Sequence, residues 1–196
     1  MSEPHKRIGL FGGTFDPVHN AHVALAKEAL ATLGLDELRW IPAGQPWQKA
    51  GTLTAAEHRE AMVRLVIEGE PRFSLDRREL LRNGPSYTLD TVRELRAELP
   101  GASFFLLIGA DQYGTLHTWR GWPELLGRVT LAVANRPGFA PPVHADVLRH
   151  PQRVVPLPML EISSTDIRRR VAAGEVISEL VPPAVARYIA RHGLYV

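Results

Sequence analysis

The chain has 196 residues, of which 45 % are hydrophobic and 22 % are charged, a composition typical of one ordinary globular domain. Its formal net charge of +2 is too small for the broad basic surface that duplex nucleic acid requires, so we expect no nucleic-acid partner. Cysteine is absent, which excludes disulfides, thiolate metal sites and a cysteine nucleophile.

The sequence predicts neither a signal peptide nor a membrane helix. Residues 1–7 carry charge without a following apolar stretch of signal-peptide length. The longest apolar run, residues 104–108, is far shorter than the roughly 20 residues that a membrane helix needs. We therefore expect a cytoplasmic protein without membrane contact, and a homo-oligomer is compatible with the sequence.

Short apolar runs predict five strands. Runs that are apolar on both faces are typical of parallel strands covered on both sides of the sheet. The five runs occupy residues 8–11, 38–41, 104–108, 129–133 and 154–157.

Amphipathic segments between these runs predict helices. Three of them carry apolar stripes at helical spacing, and a fourth has a proline at its start and a glycine after its end. In chain order they are the stripes Ala26/Ala29/Leu30/Leu33, Met62/Leu65/Val66 and Val92/Leu95/Leu99, and residues 183–192. A capping box of Thr54 and Glu57 is predicted to begin the second helix.

This alternation predicts an α/β fold: a single-domain, Rossmann-like, doubly wound and mainly parallel sheet with helices on both faces. One domain is expected to span residues 1–196, with residues 136–150 as an excursion inside it. Ligands bind such sheets at the carboxyl ends of the strands, near the point where the strand order reverses. The turn after the first strand is therefore the first place to look for a site.

That turn, residues 12–22, reads GGTFDPVHNAH. Paired glycines let a ligand approach the backbone, Thr14 supplies a hydroxyl and an N–H, and a helix N-terminus adds further donors with a positive dipole. These features predict a phosphate site. His19 and His22 are three residues apart, so on a helix they share one face. Neither the GxxxxGK[ST] nor the GxGxxG pattern is present.

Two plainer interpretations of this turn stay open. Asp16 followed by Pro17 has the form of an ordinary helix start, in which Asp16 is the N-cap and has only a structural role. The two histidines could instead form part of a zinc site, although the sequence offers no third ligand close by and no HExxH helix.

A second motif, residues 162–168, reads ISSTDIR. Taken alone, Ser163 and Asp166 form a capping box and residues 168–170 a solvated basic face. Beside the first motif, three consecutive hydroxyl residues and Arg168 at a helix N-terminus predict a second anion site. Two such sites in one α/β domain suit a polyphosphate.

The two motifs resemble the signatures of nucleotidyltransferases with an HxGH site, and specifically those of bacterial nicotinate mononucleotide adenylyltransferases. The intervening segments occur in that family's order, so the resemblance covers nearly the whole chain and implies one nucleotidyltransferase domain. They are PSYT at 85–88, GAD at 109–111, LHTW at 116–119, RPGF at 136–139 and GLY at 193–195.

The resemblance implies adenylyl transfer from ATP, accompanied by magnesium, to nicotinate mononucleotide. Such a reaction needs orientation and charge neutralisation and no general base. The resemblance implies catalytic roles for His19, His22 and Arg168, and no protein ligands to a metal. The residues implied to bind ATP are Gly12, Gly13, Thr14, Phe15, His19, His22, Lys49, Ser163, Ser164, Thr165 and Arg168. Those implied to bind nicotinate mononucleotide are Tyr87, Thr88, Asp111, Trp119 and Arg136.

The sequence departs from the family pattern at two positions. Ala21 replaces the glycine between the histidines, which predicts a tighter pocket with function retained. The loop usually written PPHK reads PWQK, so Gln48 replaces a histidine while Lys49 is kept. Trp119, implied to stack on the pyridine ring, could also be an ordinary core aromatic.

Other functions remain as alternatives. An adenylyltransferase of the pantetheine-phosphate type or a cytidylyltransferase would share both motifs, although the segments around Tyr87 and Trp119 disfavour them. A class I aminoacyl-tRNA synthetase fragment is disfavoured because the chain has no KMSKS-like loop. The alternative that is not an enzyme is a nucleotide-sensing module, which would bind a nucleotide without turnover.

Overall fold

The computed structural model of the chain describes residues 5–46, 53–135, 141–157 and 160–196. Within these ranges six strands form one sheet in the order β3-β2-β1-β4-β5-β6, and all neighbouring strands are parallel. The strands are β1 Arg7–Gly13, β2 Glu37–Pro42, β3 Phe73–Leu75, β4 Ser103–Gly109, β5 Thr130–Asn135 and β6 Gln152–Pro156. The predicted Rossmann-like, doubly wound sheet is confirmed, and its order reverses between β1 and β4.

Helices connect the strands on both faces of the sheet. They are α1 Asn20–Thr32, α2 Ala56–Ile67, α3 Arg78–Leu81, α4 Thr88–Glu98, α5 Ala110–Thr115, α6 Trp122–Leu126, α7 Ala145–Leu148, α8 Ser164–Ala172 and α9 Pro183–His192, with a short 3-10 helix at Leu116–Thr118. Among the residues that the structure describes, no helix combines the length and apolar character needed to cross a membrane.

Two hydrophobic cores lie on opposite faces of the sheet because successive side chains of a strand point to opposite sides. On β4, Phe105 and Leu107 belong to the core under α1, α2, α8 and α9. Phe104 and Leu106 belong to the core under α4 and α6. The strand is therefore buried on both faces, as its continuous apolar run predicted.

The four predicted helices are confirmed as α1, α2, α4 and α9. The bounds of α9 agree with the prediction because Pro183 starts the helix and Gly193 adopts a left-handed conformation at its end, φ 54°. The capping box predicted for α2 is wrong. Ala55 is the N-cap of α2, and the N–H of Thr54 donates instead to Oδ2 of Asp16, 3.2 Å away.

The two edges of the sheet differ from the prediction. The strand β3 has three residues, too few for a hydrophobic pattern to reveal, and it was not predicted. The strand β6 was predicted to be covered on both faces, but Val154 is 53 % exposed. As the last strand of the sheet, β6 has a neighbour on one side alone, and its apolar residues are only partly covered.

Candidate active site

The first motif forms the loop between β1 and α1. The helix begins at Asn20 with His19 as its N-cap, so the prediction that Asp16 caps the helix with Pro17 at its first position is wrong. Asp16 is nevertheless structural. Its buried carboxylate accepts hydrogen bonds from the Tyr195 hydroxyl, 2.7 Å, and from the N–H of Thr54, 3.2 Å, because a buried carboxylate is stable only when it is paired.

His19 and His22 lie together, as their spacing predicted. Their rings are stacked, with centroids 3.6 Å apart and planes at 22°. The backbone N–H of His19 donates to Nδ1 of His22, 3.2 Å away. In a neutral imidazole the nitrogen that does not accept carries the proton, so this bond leaves Nε2 of His22 as the donor. Both residues line the central cavity described below.

The second motif begins α8. Ser163 is the N-cap, and its Oγ accepts from the N–H of Asp166, 3.1 Å away, so the Ser163 half of the predicted capping box is confirmed. Asp166 also binds two arginines of the same helix, Arg169 at 2.7 Å and Arg170 at 2.8 Å. These hydrogen bonds lower the pKa of Asp166 and hold both arginines on the helix surface.

The two motifs are joined by direct hydrogen bonds. The hydroxyl of Ser164 donates to the carbonyl oxygen of Pro17, 3.0 Å, and Nη1 of Arg168 donates to that of Asp16, 2.7 Å. The start of α8 is thereby fixed against the loop that leads into α1. The N-termini of α1 and α8 both reach the wall of the cavity described below, where the positive ends of their dipoles favour an anion.

A cavity of about 480 Å³ opens at the carboxyl ends of β1 and β4, the predicted position for a ligand in a doubly wound sheet. Ala21 and the ends of both strands form part of its wall. Eleven of the predicted binding residues also line it: Gly12, Gly13, Thr14, His19, His22, Thr88, Asp111, Trp119, Ser163, Ser164 and Thr165.

The two glycines at the end of β1 have different reasons to be glycine. A β-carbon on Gly13 would lie 2.8 Å from the ring of Phe15, a distance that forces a displacement. A β-carbon on Gly12 would meet no atom within 4 Å, so it would project into open space at the cavity wall. Gly12 therefore leaves room for a ligand at the backbone, whereas Gly13 makes room for a neighbouring side chain.

Three predicted residues are not part of the cavity wall. The ring of Phe15 is buried against Phe11 and Trp40, so only its backbone is placed to serve a ligand. Arg168 contacts the Asp16 carbonyl, and the ring of Tyr87 lies under the guanidinium of Arg120, 4.6 Å away. Lys49, Arg136 and Gln48 lie outside the described residues.

The start of α4 forms the other end of the cavity. Thr88 is the first residue of this helix, and Tyr87, its N-cap, makes no side-chain capping bond. Trp119 faces the cavity while packing against the second core, so the stacking and core interpretations are compatible. Its indole N–H is buried and has no hydrogen-bond partner among the described residues.

No sequence motif singled out Arg59, which binds the backbone of the loop formed by the first motif. Arg59 is 1 % exposed and donates to the carbonyl oxygens of Thr14, 3.0 Å, and Ala43, 2.6 Å. Burial lowers its pKa. The sequence did contain an indication of this role. Arg59 lies on the same face of α2 as the apolar residues Met62 and Val63, and a charged side chain on an apolar face is buried only when it finds partners.

Glu79 is a second residue of the cavity that no sequence motif indicated. Its buried side chain lines the cavity near Thr88 and accepts a hydrogen bond from the hydroxyl of Thr91, 2.7 Å away. Desolvation raises its pKa, although hydrogen bonds from Thr91 and Ser86 oppose the shift. The Ser86 hydroxyl also accepts from the N–H of Gly44, 3.0 Å, which connects this wall to the loop after β2.

The described residues contain no group of three His, Asp or Glu side chains that could hold a metal ion. The alternative of a zinc site at His19 and His22 therefore has no third ligand in this part of the chain. Hydroxyl, imidazole and backbone N–H groups line the cavity around the two motifs, and such donors suit phosphate oxygens.

Comparisons with known proteins agree with this geometry. The cytidylyltransferase-like family model matches residues 10–170. Proteins named "Probable nicotinate-nucleotide adenylyltransferase" from Methylibium petroleiphilum and Bordetella petrii are 52 % and 50 % identical to this chain. The alignments cover 99 % and 97 % of this chain and 94 % and 99 % of the relatives.

A solved structure shares the fold. Plasmodium falciparum nicotinic acid mononucleotide adenylyltransferase complexed with NaAD superposes with a TM-score of 0.81 at 21 % identity, covering 97 % of this chain and 98 % of that one. The match to the family model over most of the sequence, with two near full-length relatives at half identity or more, establishes the assignment. The chain belongs to the cytidylyltransferase-like family and, within it, to the nicotinate-nucleotide adenylyltransferases.

Proposed function

We propose that this protein transfers the adenylyl group of ATP to nicotinate mononucleotide, giving nicotinate adenine dinucleotide and pyrophosphate in NAD biosynthesis. One observation carries the proposal: a single cavity is lined by residues at the N-termini of α1, α8 and α4. Two anionic substrates can therefore bind side by side, each at positive helix ends.

ATP binds at the end formed by the two motifs. Gly12, Gly13 and the backbone of Thr14 and Phe15 border the phosphates, and the hydroxyls of Ser163 and Thr165 and the backbone of Ser164 face them from α8. His19 and His22 donate to the α-phosphate, where negative charge develops during transfer. Arg168 keeps the α8 end against the loop through Asp16, and its remaining N–H groups serve the outer phosphates.

The chemistry is an in-line displacement at the α-phosphorus. A phosphate oxygen of the mononucleotide forms the new P–O bond, the bond to the bridging oxygen of the β-phosphate breaks, and pyrophosphate leaves. The attacking phosphate is already ionised, so no side chain has to remove a proton. The protein contributes orientation and preorganised donors, and Nε2 of His22 is one of them.

Nicotinate mononucleotide binds at the other end of the cavity. The ring stacks on Trp119, and its carboxylate accepts hydrogen bonds from backbone N–H groups where Tyr87 and Thr88 begin α4. The carboxylate of Asp111, at the start of α5, accepts from the ribose hydroxyls. Arg136 completes this half of the site as a phosphate partner.

Magnesium enters as part of the substrate, bound to the phosphates of ATP. A site of this kind needs few protein ligands, because Mg²⁺ keeps several waters and binds mainly to the phosphates. The donor-rich walls around the two motifs fit the phosphates of such a complex. Lys49 is a further partner for the triphosphate. The whole chain acts as one nucleotidyltransferase domain. A homo-oligomer is compatible with this function.

The test is pyrophosphate release from ATP with nicotinate mononucleotide, nicotinamide mononucleotide and phosphopantetheine supplied separately, and with CTP replacing ATP as a nucleotide control. We expect rapid release with ATP and nicotinate mononucleotide, with nicotinate adenine dinucleotide identified by mass spectrometry. Release only with phosphopantetheine or only with CTP would replace the proposal by a related transferase. ATP binding without release under any condition would indicate a nucleotide-sensing module.

A further inference from the structure

The segment Gly193–Leu194–Tyr195, which follows α9, has no role in the proposed reaction. Gly193 ends α9 in a left-handed conformation, and the N–H of Leu194 returns to the carbonyl oxygen of Ile189, 3.1 Å away. Tyr195 is left-handed as well, with φ 69°, a region that residues with a β-carbon avoid. A backbone held in this conformation suggests that the direction of the Tyr195 side chain matters.

The Tyr195 side chain reaches the loop of the first motif. Its hydroxyl donates to Oδ1 of Asp16, 2.7 Å away, across 179 positions of sequence. The other oxygen, Oδ2, accepts from the N–H of Thr54, 3.2 Å. Asp16 is 2 % exposed, so these two donors replace the water that its carboxylate would otherwise bind.

The position of Asp16 gives this contact a consequence for the nucleotide. Asp16 lies between Thr14 and His19, both of which line the cavity, but Asp16 itself does not. An anionic carboxylate that swung toward the cavity would repel the phosphates. Burial and the neighbouring Asp16 raise the pKa of Tyr195, so the tyrosine keeps its proton and remains the donor of this hydrogen bond.

Apart from the bond that the Thr54 N–H donates to Asp16 Oδ2, the other bonds to this loop end on its backbone. Arg168 binds the carbonyl of Asp16, Ser164 that of Pro17 and Arg59 that of Thr14. They fix where the loop lies without fixing where the Asp16 carboxylate points. Among the residues that the structure describes, Tyr195 is the one whose side chain donates a hydrogen bond to that carboxylate.

We propose that Tyr195 is a positioning residue for nucleotide binding, whose hydroxyl holds the Asp16 carboxylate away from the phosphate end of the cavity. This inference rests on the proposed function. It assigns to the C-terminal Gly193–Leu194–Tyr195 segment a role in ATP affinity that is separate from its packing against α9.

The test is the affinity for ATP of Tyr195→Phe, measured by calorimetry without the mononucleotide so that no turnover occurs. Loss of a hydrogen bond to a charged group should weaken ATP binding about tenfold or more, while KM for nicotinate mononucleotide stays within about twofold. The matched control is Tyr188→Phe. That hydroxyl contacts Nδ1 of His58, 2.9 Å away between α2 and α9, so its loss should leave ATP affinity unchanged.

A double substitution separates the charge of Asp16 from the packing of Tyr195. If Tyr195 acts by controlling that charge, Asp16→Asn in the Tyr195→Phe background should recover most of the lost ATP affinity. Wild-type ATP affinity in Tyr195→Phe, or an equal rise in both KM values, would overturn the proposal. A double variant that binds ATP no better than Tyr195→Phe alone would overturn it as well.

These outcomes are distinct from a failure of the proposed function. If the unaltered protein binds ATP but releases no pyrophosphate, adenylyl transfer is wrong and the Tyr195 test still applies. If the unaltered protein does not bind ATP, both are wrong.

Discussion

The stacked rings of His19 and His22, 3.6 Å apart, are joined a second time by the bond from the His19 N–H to Nδ1 of His22. The backbone bond orients the His22 ring without using its Nε2 atom. The histidine pair therefore behaves as one preorganised unit at the N-terminus of α1. Substitutions there test the chemistry most directly.

We expect His22→Ala to lower kcat by about a hundredfold or more, because removing one preorganised transition-state donor costs about 2.7 to 4 kcal/mol. The control is His58→Ala, a histidine on α2 that contacts Tyr188 and does not line the cavity. Initial rates of pyrophosphate release and thermal melts of both variants provide the comparison. Near wild-type turnover in His22→Ala with a lowered Tm would make His22 a structural residue.

Trp119→Ala should raise KM for nicotinate mononucleotide and leave KM for ATP nearly unchanged. Stacking on an aromatic ring is worth about 0.5 to 1.5 kcal/mol beyond buried area, so a rise of at least about threefold is expected. Trp122 is a matched control, because it packs on the same core but does not line the cavity. Equal effects of Trp119→Ala and Trp122→Ala, seen in Tm alone, would contradict a binding role.

The start of α4 predicts a preference for the acid over the amide. Backbone N–H groups accept a carboxylate, whereas an amide presents its own NH₂ donors to a place that offers donors. Unpaired buried donors cost about 1 to 3 kcal/mol, so kcat/KM for nicotinate mononucleotide should exceed that for nicotinamide mononucleotide by at least about tenfold. Side-by-side initial rates at equal, subsaturating concentrations measure the ratio.

A substitution at Thr88 tests the origin of that preference. Thr88→Pro removes one N–H at the first helical position, where proline is tolerated, and Tyr87 already has the extended backbone that precedes proline, φ −104° and ψ 125°. Thr88→Ala keeps the N–H and is the control. A smaller acid preference in Thr88→Pro than in Thr88→Ala supports the backbone site, and equal ratios contradict it.

Glu79 predicts a specific dependence of stability on pH. Its pKa in the folded protein is raised above 4.5 by burial, so the folded state binds the proton more tightly than the unfolded chain. The stability that Glu79 contributes therefore decreases as pH rises above 4.5. Because Glu79→Gln removes this ionisation, the Tm of the variant relative to wild type should rise as pH increases above 4.5.

Glu98→Gln is the control for that experiment. The pKa of Glu98 is lowered by its hydrogen bond with Arg78, so this carboxylate stabilises the folded protein above its unfolded pKa. The relative Tm of Glu98→Gln should therefore fall as pH rises toward 4.5 and stay level above it. Parallel Tm profiles for the two variants would show that Glu79 is not the buried group that the structure describes.

Local rules failed at one place for an instructive reason. Asp16 and Thr54 both have sequence contexts that predict helix caps, and neither caps a helix. They bind each other instead, through the Thr54 N–H and Asp16 Oδ2, and Tyr195 completes the pairing. A capping preference is worth about 1 kcal/mol, whereas a buried charge left without partners costs more. The contacts between residues distant in sequence therefore determined the positions of Asp16 and Thr54.

The sequence by itself determined the features that depend on neighbouring residues. Continuous apolar runs specified β1 and β4, proline and glycine specified the ends of α9, and the motifs at 12–22 and 162–168 indicated two anion sites. Each of these signals lies within a few residues, where hydrophobic pattern and backbone preference act.

Only the tertiary structure decided which polar groups hold those motifs in place. Arg168 meets the Asp16 carbonyl across 152 positions, Arg59 meets Thr14 across 45, and Glu79 meets Thr91 inside the cavity wall. A polar group that folding removes from water must find a partner. Which partner it finds depends on how the strands and helices pack, and no local pattern in the sequence records that.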